Sequence, residues 1–354
     1  VAEAKTVIFR SGDREERLVG PTEEGFTNAF LRLLHPKDID VCFVSGHGEV
    51  LLEEKETGGY RRFRDTLQGY NAKVQGIVLA RDHVPDACQV VVVGGPRWDL
   101  TAAEFGDLDK AFQKGKGVLL LIDPMDPGAG IAFMEFAKKY GVSLGQNVIV
   151  DKVSRMVGGD FLMPLVSQYL VTHPVTKSLK QATFFPLVRS VQPSTDTVAG
   201  LEVMPLAMTS EGGWAETDLP ALENGVATFD MKTDTAGPLP VAVAVEAASG
   251  KPSAVSDKEK EPNAGGRMIF VGDGDFLTNG YLELSGNKEL GLNMIRWLAS
   301  DDRFMDVRRP ELSFKPLLLD TPHRTLLLVL LLGAYPLVFF VCGGTYLVIR
   351  SRVS

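Results

Sequence analysis

The side chains best suited to chemistry sit in short loops, each following an apolar run. Gly46-His47-Gly48-Glu49 sets an imidazole two residues from a carboxylate, between glycines that permit close backbone approach or positive φ. His47 and Glu49 could bind a metal or polarise a substrate. The weightier alternative is a tight turn whose His and Glu cap neighbouring helix ends. Gly272-Asp273-Gly274-Asp275-Phe276, with Asn279 close behind, places two carboxylates at i and i+2. Such a pair could hold a divalent cation, but no further acidic ligands arrive at the spacing of a calcium loop. The plainer reading is an Asx-turn that shapes a strand-to-helix loop. Gly94-Gly95-Pro96 and the loop opened by Asp123-Pro124 end two more apolar runs. Neither resembles a phosphate-binding loop, because GxxxxGK(S/T) and a spaced GxGxxG are both missing from the chain.

A hydrolase or amidotransferase on such a scaffold needs a Ser or Cys on a strained elbow, with a His to activate it. No GxSxG or GxCxG occurs. Cys42 falls in mid-strand, where a thiol is buried and inert, and Ser45 precedes Gly46-His47 without an elbow. No catalytic residue, metal or cofactor is therefore expected.

The elements that must position these loops follow from periodicity. Continuous apolar runs at residues 40–45, 74–79, 89–93, 118–122 and 267–271 read as strands apolar on both faces. Between them, 60–70, 101–114, 129–140 and 288–298 carry helical patterns, the second opened by a Thr101-x-x-Glu104 capping box. Strands buried on both faces and separated by helices imply a parallel sheet covered on both sides. The expected fold is α/β, a doubly wound, mostly parallel sheet of flavodoxin or class I amidotransferase type. Ligands of such sheets bind beyond the carboxyl ends of the strands, where all four loops lie.

The domain organisation reads as a hairpin and capped helix over 1–37, the first part of the α/β domain over 38–150, and a β-rich insertion over 151–265. The last strand and helix occupy 266–300, with a proline-punctuated linker over 301–325. Within the insertion, residues 248–266 are rich in Lys, Glu, Ser, Pro and Gly and read as an exposed loop. The net charge of −8 and the lack of a basic, aromatic-interleaved patch argue against nucleic acid. Three cysteines make no disulfide framework. One internal bridge, Cys42–Cys88, is available, but both residues lie in strand-like runs where a buried free thiol is the expectation.

Residues 326–349 form about 24 residues without a charge, enough for a helix to cross a hydrocarbon core of about 30 Å. Leu326 opens this stretch and Ile349 closes it, Tyr335 and Pro336 lie mid-span, and Gly343 and Gly344 offer a small-residue surface to another helix. A single C-terminal transmembrane helix with a short tail, 350–354, is expected. Arginines flank both ends, so orientation does not follow from the positive-inside rule. The opening Val-Ala-Glu suggests that an upstream part precedes the chain.

In order, FVSGHGE (43–49), VVVGGP (91–96), GVLLLIDP (117–124), THPVT (172–176), FFPLVRSV (184–191), MTSEGGWAETD (208–218), GPLPVAVAV (237–245), VGDGDFLTN (271–279) and GNKELGLNMIRWL (286–298) precede the terminal apolar stretch. This ordered set resembles the auxiliary component of the gliding-motility type of ABC transporter, from about residue 22 to the end. The resemblance implies an extracytoplasmic body related to the class I amidotransferase layer without its catalytic machinery. It implies a place at the bacterial inner membrane beside an ABC-2-type permease and, through it, a cytoplasmic ATPase. No catalytic residue carries over. Gly46–Glu49, Asp123, Asp273, Asp275 and Asn279 remain candidate contact sites. The competing reading is a ligand- or glycan-binding module that uses the crevice of His47, Glu49, Asp123, Asp273 and Asp275; a membrane-bound hydrolase is the third and least supported.

Overall fold

A computed structural model describes residues 6–11, 14–19, 26, 39–124, 130–156, 159–247 and 265–300, together with Pro336, Leu337, Phe339, Gly343 and Arg350. An antiparallel hairpin, β1 (Thr6–Ser11) and β2 (Arg14–Val19), comes first. The α/β body then runs β3 (Ile39–Val44), α1 (Arg61–Gly69), β4 (Ala72–Ile77), α2 (Leu79–Asp82), β5 (Val90–Gly94), α3 (Ala102–Gln113), β6 (Gly117–Leu121), α4 (Ile131–Lys139), β7 (Val142–Leu144) and β8 (Val148–Asp151). It continues through α5 (Lys152–Met156), β9 (Leu165–Val166), β10 (Gln168–Tyr169), β11 (Thr183–Phe184), β12 (Val191–Pro193), β13 (Leu201–Met208) and β14 (Gly213–Glu216). α6 (Leu219–Glu223), β15 (Thr235–Ala236), β16 (Pro240–Ala247), β17 (Arg267–Val271), a 3-10 turn (Asp275–Leu277) and α7 (Asn287–Leu298) complete it.

The central sheet has eight strands in the order β10-β13-β16-β17-β6-β5-β3-β4. Its parallel part, β17-β6-β5-β3-β4, is the doubly wound layer. Strict alternation builds the core on both faces. Val90, Val92, Leu119, Leu121, Ile269 and Val271 point to one face, where α1 (Phe63, Leu67) and α7 (Leu290, Met294, Trp297) cover them. Val91, Val93, Val118, Leu120, Met268 and Phe270 point to the other, under α3 (Phe105, Leu108, Phe112) and α4 (Phe133, Phe136). All five residues of β5 and all five of β6 are buried, so each strand removes apolar surface from water on both sides. At about 25 cal/mol per Å² this sandwich is the main favourable term of the fold.

The two longest strands of the 151–265 stretch, β13 and β16, pair antiparallel with each other, and β16 pairs with β17, so they widen the central sheet. The reason is register. Val241, Val243 and Val245 alternate with small Ala242 and Ala244, and all five are buried, as an inner strand requires. Cys42 and Cys88 are not free thiols. They form a disulfide across a Cα–Cα distance of 5.9 Å, because β3 and β5 are neighbours and Cys88 lies two residues before β5.

Residues 301–325 lie outside the described residues, as do Leu326, Tyr335, Gly344 and Ile349 of the apolar stretch. Pro336, Leu337, Phe339, Gly343 and Arg350 are helical. Among the described residues no helix is long and apolar enough to cross a membrane.

Candidate functional site

The loops singled out in the sequence gather at the carboxyl ends of β3, β5, β6 and β17. The strand order reverses between β3 and β5, which is where a doubly wound sheet opens a crevice. Here His47 is engaged by carboxylates of the chain itself. His47, after β3, has each ring nitrogen on a carboxylate: Nδ1 is 2.9 Å from Glu49 Oε1 and Nε2 is 3.1 Å from Glu104 Oε2. Its backbone N–H donates to Glu49 Oε2 at 2.7 Å. Its carbonyl accepts from the N–H groups of Arg97 and Trp98, after β5. Gly48 has φ +82°, and a Cβ there would lie 2.7 Å from the Trp98 ring. Only glycine lets the two loops close this tightly.

Glu104 is shared between this contact and the start of α3. It accepts the Thr101 N–H at 2.8 Å and the Thr101 hydroxyl at 2.7 Å, while Thr101 Oγ1 accepts the Glu104 N–H, which completes the capping box. Burial pushes the Glu104 carboxyl up, but the Thr101 N–H, the Thr101 hydroxyl and His47 outweigh it and hold the group below the ordinary range. His47 therefore ties the β3 loop to a helix N-terminus. Both ring nitrogens are engaged in that tie.

A second cluster lies one strand pair further along the sheet. β6 and β17 pair with Leu121 opposite Val271, and Asp123 and Asp273 each follow two residues later. Asp273 is fully buried and Asp275 partly so. Asp273 Oδ1 accepts the Asp275 N–H at 2.8 Å, an Asx-turn, and Oδ2 accepts the Phe276 N–H at 3.2 Å. Asp123 Oδ1 accepts the Gly274 N–H at 2.5 Å. Burial, followed by the neighbouring Asp275, raises Asp123 to about 7. Burial, then Asp123 and Asp275, raises Asp273 well above the carboxylate range. Burial also lifts Asp275, against the pull of Arg97.

Three residues that sequence reasoning passed over complete this cluster. The buried Tyr60 hydroxyl donates to Gly274 O at 2.8 Å. Arg189, 3% exposed, donates through Nε to Gly145 O at 2.6 Å and through Nη1 to the Asp123 carbonyl at 3.4 Å. Burial lowers its pKa to about 10, against the pull of the Asp123 charge. Asn287 holds the 3-10 turn from below. It accepts the Phe184 N–H and donates to the carbonyls of Phe184, Phe276 and Tyr281. A buried Asn at a helix start was the one signal available for it.

Asn279 stands apart from the carboxyls. Its Oδ1 accepts the Arg62 N–H at 2.7 Å, and its Nδ2 donates to Glu54 O and Glu56 O at 2.8 and 2.6 Å. It pins the 54–56 loop to the start of α1. The structure thus brings His47 together with Glu49, and Asp123 with Asp273 and Asp275. Among the described residues no group of three or more His, Cys, Asp or Glu is arranged to hold a metal ion.

Among solved structures, the mmIFT52 N-terminal domain superposes with a TM-score of 0.51 at 15% identity, over 73% of this chain and 97% of that one. Two ThuA-like proteins, from Bacteroides uniformis and Parabacteroides merdae, superpose with a TM-score of 0.41 each. They are 16% and 13% identical to this chain, covering 75% of it in both cases and 93% and 91% of their own lengths. At these identities the first likeness speaks for the fold alone. No curated protein matches the chain. A family model does, over residues 39–297, which span the whole sheet and well over half of the chain: the protein belongs to the family described as ABC-type uncharacterized transport system, the auxiliary components of such transporters.

Proposed function

We propose that this chain serves its transporter as a non-catalytic subunit anchored by residues 326–349, with the α/β body outside the cytoplasm and the anchor packed against an ABC-2-type permease. The accessory role belongs to the family. The observation that carries the non-catalytic reading is the engagement of both His47 ring nitrogens by carboxylates. At the β3/β5 reversal His47 is spent on Glu49 and Glu104, and among the described residues no Ser or Cys is paired with its ring nitrogens. The only cysteines of the described body are joined to each other. That disulfide also supports placement in an oxidising compartment, since such bonds persist in secreted and periplasmic proteins and are rare in the cytosol.

Extraction of the full chain in mild detergent and affinity purification is the test. The expected result is recovery of a permease with several membrane spans and of an ABC ATPase in fixed proportion, with both lost when 326–349 is replaced by an unrelated membrane helix. A chain that retains neither partner, or that hydrolyses esters, amides or glycosides in purified form, would sink this reading.

A further inference from the structure

One loop of the 151–265 stretch is built to hold apolar side chains in water. Residues 224–234 join α6 to β15, in the small sheet β15-β14-β8. Two aspartates set the shape of this loop. Asp234 Oδ1 accepts the Thr217 N–H at 3.1 Å and the Thr217 hydroxyl at 3.0 Å, and its Oδ2 accepts the Asp230 N–H at 2.8 Å. Asp230 Oδ1 accepts the Lys232 N–H at 2.9 Å, and the Asp230 carbonyl accepts the N–H groups of Thr233 and Asp234. These bonds close a tight turn over 230–234 and fasten it to Thr217, the residue after β14.

Met231 lies in that turn and is 87% exposed. Val226 and Phe229, in the same loop, are 54% and 38% exposed. The Phe229 ring is 6.4 Å from the buried Trp214 ring, and Ala227 packs against the cluster of Val148, Val150, Trp214 and Leu222. The apolar core of this small layer thus continues outward through the loop into water. The turn does not require that. Its bonds use backbone groups and two aspartates, and polar residues would close it equally well. Apolar side chains gathered on an exposed surface mark an interaction site, and a loop already locked in shape loses little further freedom on binding.

Charge selects the occupant. Asp218, Glu223, Asp230 and Asp234 lie on or beside the loop, against Lys232 and against Lys152, whose Nζ is 4.9 Å over the Trp214 ring. An anionic lipid surface would repel that excess of carboxylates. In a two-fold contact between copies of this chain the patch would face itself, carboxylate against carboxylate. A different protein, with Lys or Arg around an apolar pocket, suits both the side chains and the charge. We propose that Met231, with Val226 and Phe229, docks into an apolar pocket rimmed by Lys or Arg on the extracytoplasmic side of the permease. This contact rests on the accessory role proposed above.

The test replaces Val226 by a photo-crosslinking residue in the full chain, in membranes that hold its transporter, and identifies the product by mass spectrometry. The same residue in place of Lys114, exposed beyond the end of α3, is the control. The expected result is a product with the permease from position 226 and none from 114. Met231→Asp changes a side chain that stands in water, so it should cut that product about tenfold without lowering Tm. Glu223→Lys, exposed at the end of α6, should cut it severalfold at low salt, and the loss should shrink as salt is raised. No product from 226, a product with lipid or with a second copy of the chain, equal products from 226 and 114, or an unchanged yield in either variant would overturn the proposal. Co-purification reads the accessory role separately. A chain that brings down permease and ATPase but gives no permease product from 226 keeps that role and loses this surface; a chain that brings down neither loses both.

Discussion

Asp123 and Asp273 each stand two residues past the paired ends of adjacent parallel strands, and Asp123 accepts the N–H of Gly274, the residue that follows Asp273. Desolvation and the neighbouring carboxylates disfavour charge there, so Asp123 and Asp273 are both pushed above the ordinary carboxylate range. Parallel register alone creates the pair: any two acidic residues at matching offsets after β6 and β17 would meet.

The first prediction concerns pH. Asp123 titrates at about 7 in the fold against 3.8 without it. Between these values Asp123 holds more of its proton in the folded chain than in the unfolded one, so its contribution to stability is full below about pH 4, falls as pH rises, and levels off above about pH 7. Asp123→Asn keeps an oxygen for the Gly274 N–H and removes the titrating carboxyl. It should flatten the slope and gain about 1–2 kcal/mol over the parent near pH 8, with little difference near pH 4. Thermal unfolding across this range measures both; an unchanged slope in the variant would show that Asp123 is not the titrating group.

The second concerns the disulfide. Cys42 and Cys88 are 46 residues apart in sequence and both buried. Closing a loop of that size is worth roughly 4 kcal/mol in the chain-entropy model. The paired substitution Cys42→Ala with Cys88→Ala should lower stability by about 2–4 kcal/mol, read from denaturant midpoints. Thiol titration of the denatured parent should find neither Cys42 nor Cys88 reactive until a reductant is added.

The third tests the tie between His47 and Glu104. If the imidazole joins the β3 loop to α3 and does no chemistry, His47→Ala should destabilise the body by about 1–3 kcal/mol, since it strands two buried carboxylates. Thr101→Ala should cost about 1 kcal/mol through loss of the cap. Because both changes act on Glu104, the double variant should cost less than their sum. Additive losses in urea unfolding would mean that the loop and the cap are independent.

The sequence made the layer architecture legible because strands buried on both faces, such as residues 90–93 and 118–122, have no other stable home than a covered parallel sheet. The Thr101–Glu104 box was legible because capping is local. What stayed hidden depends on contacts between distant residues. Asp123 and Gly274 meet across 151 positions and Tyr60 and Gly274 across 214, and no short-range pattern encodes such meetings. The disulfide was hidden for the same reason: until β3 and β5 are known to be neighbours, two apolar runs with one Cys each look like two buried thiols. The antiparallel extension by β13 and β16 escaped because alternating Val and Ala fits an inner strand of either direction.

The last prediction returns to Gly274, which is held from both sides: its N–H donates to Asp123 and its carbonyl accepts from Tyr60. A Cβ at Gly274 would lie 2.9 Å from the Tyr60 hydroxyl oxygen, so the same closeness that makes the bond excludes larger residues. Burial, reinforced by Asp123, Asp273 and Asp275, raises the Tyr60 pKa well above 10, which keeps the hydroxyl a donor at every pH the protein meets. Tyr60→Phe leaves the shape intact and the Gly274 carbonyl without its partner, at a cost of about 1–2 kcal/mol. Gly274→Ala must displace that ring and should cost more, about 2–4 kcal/mol. In the Tyr60→Phe background part of that excess should vanish, because the atom nearest the new methyl is gone. A Gly274→Ala penalty equal in both backgrounds would show that the loop, rather than the tyrosine, sets the limit.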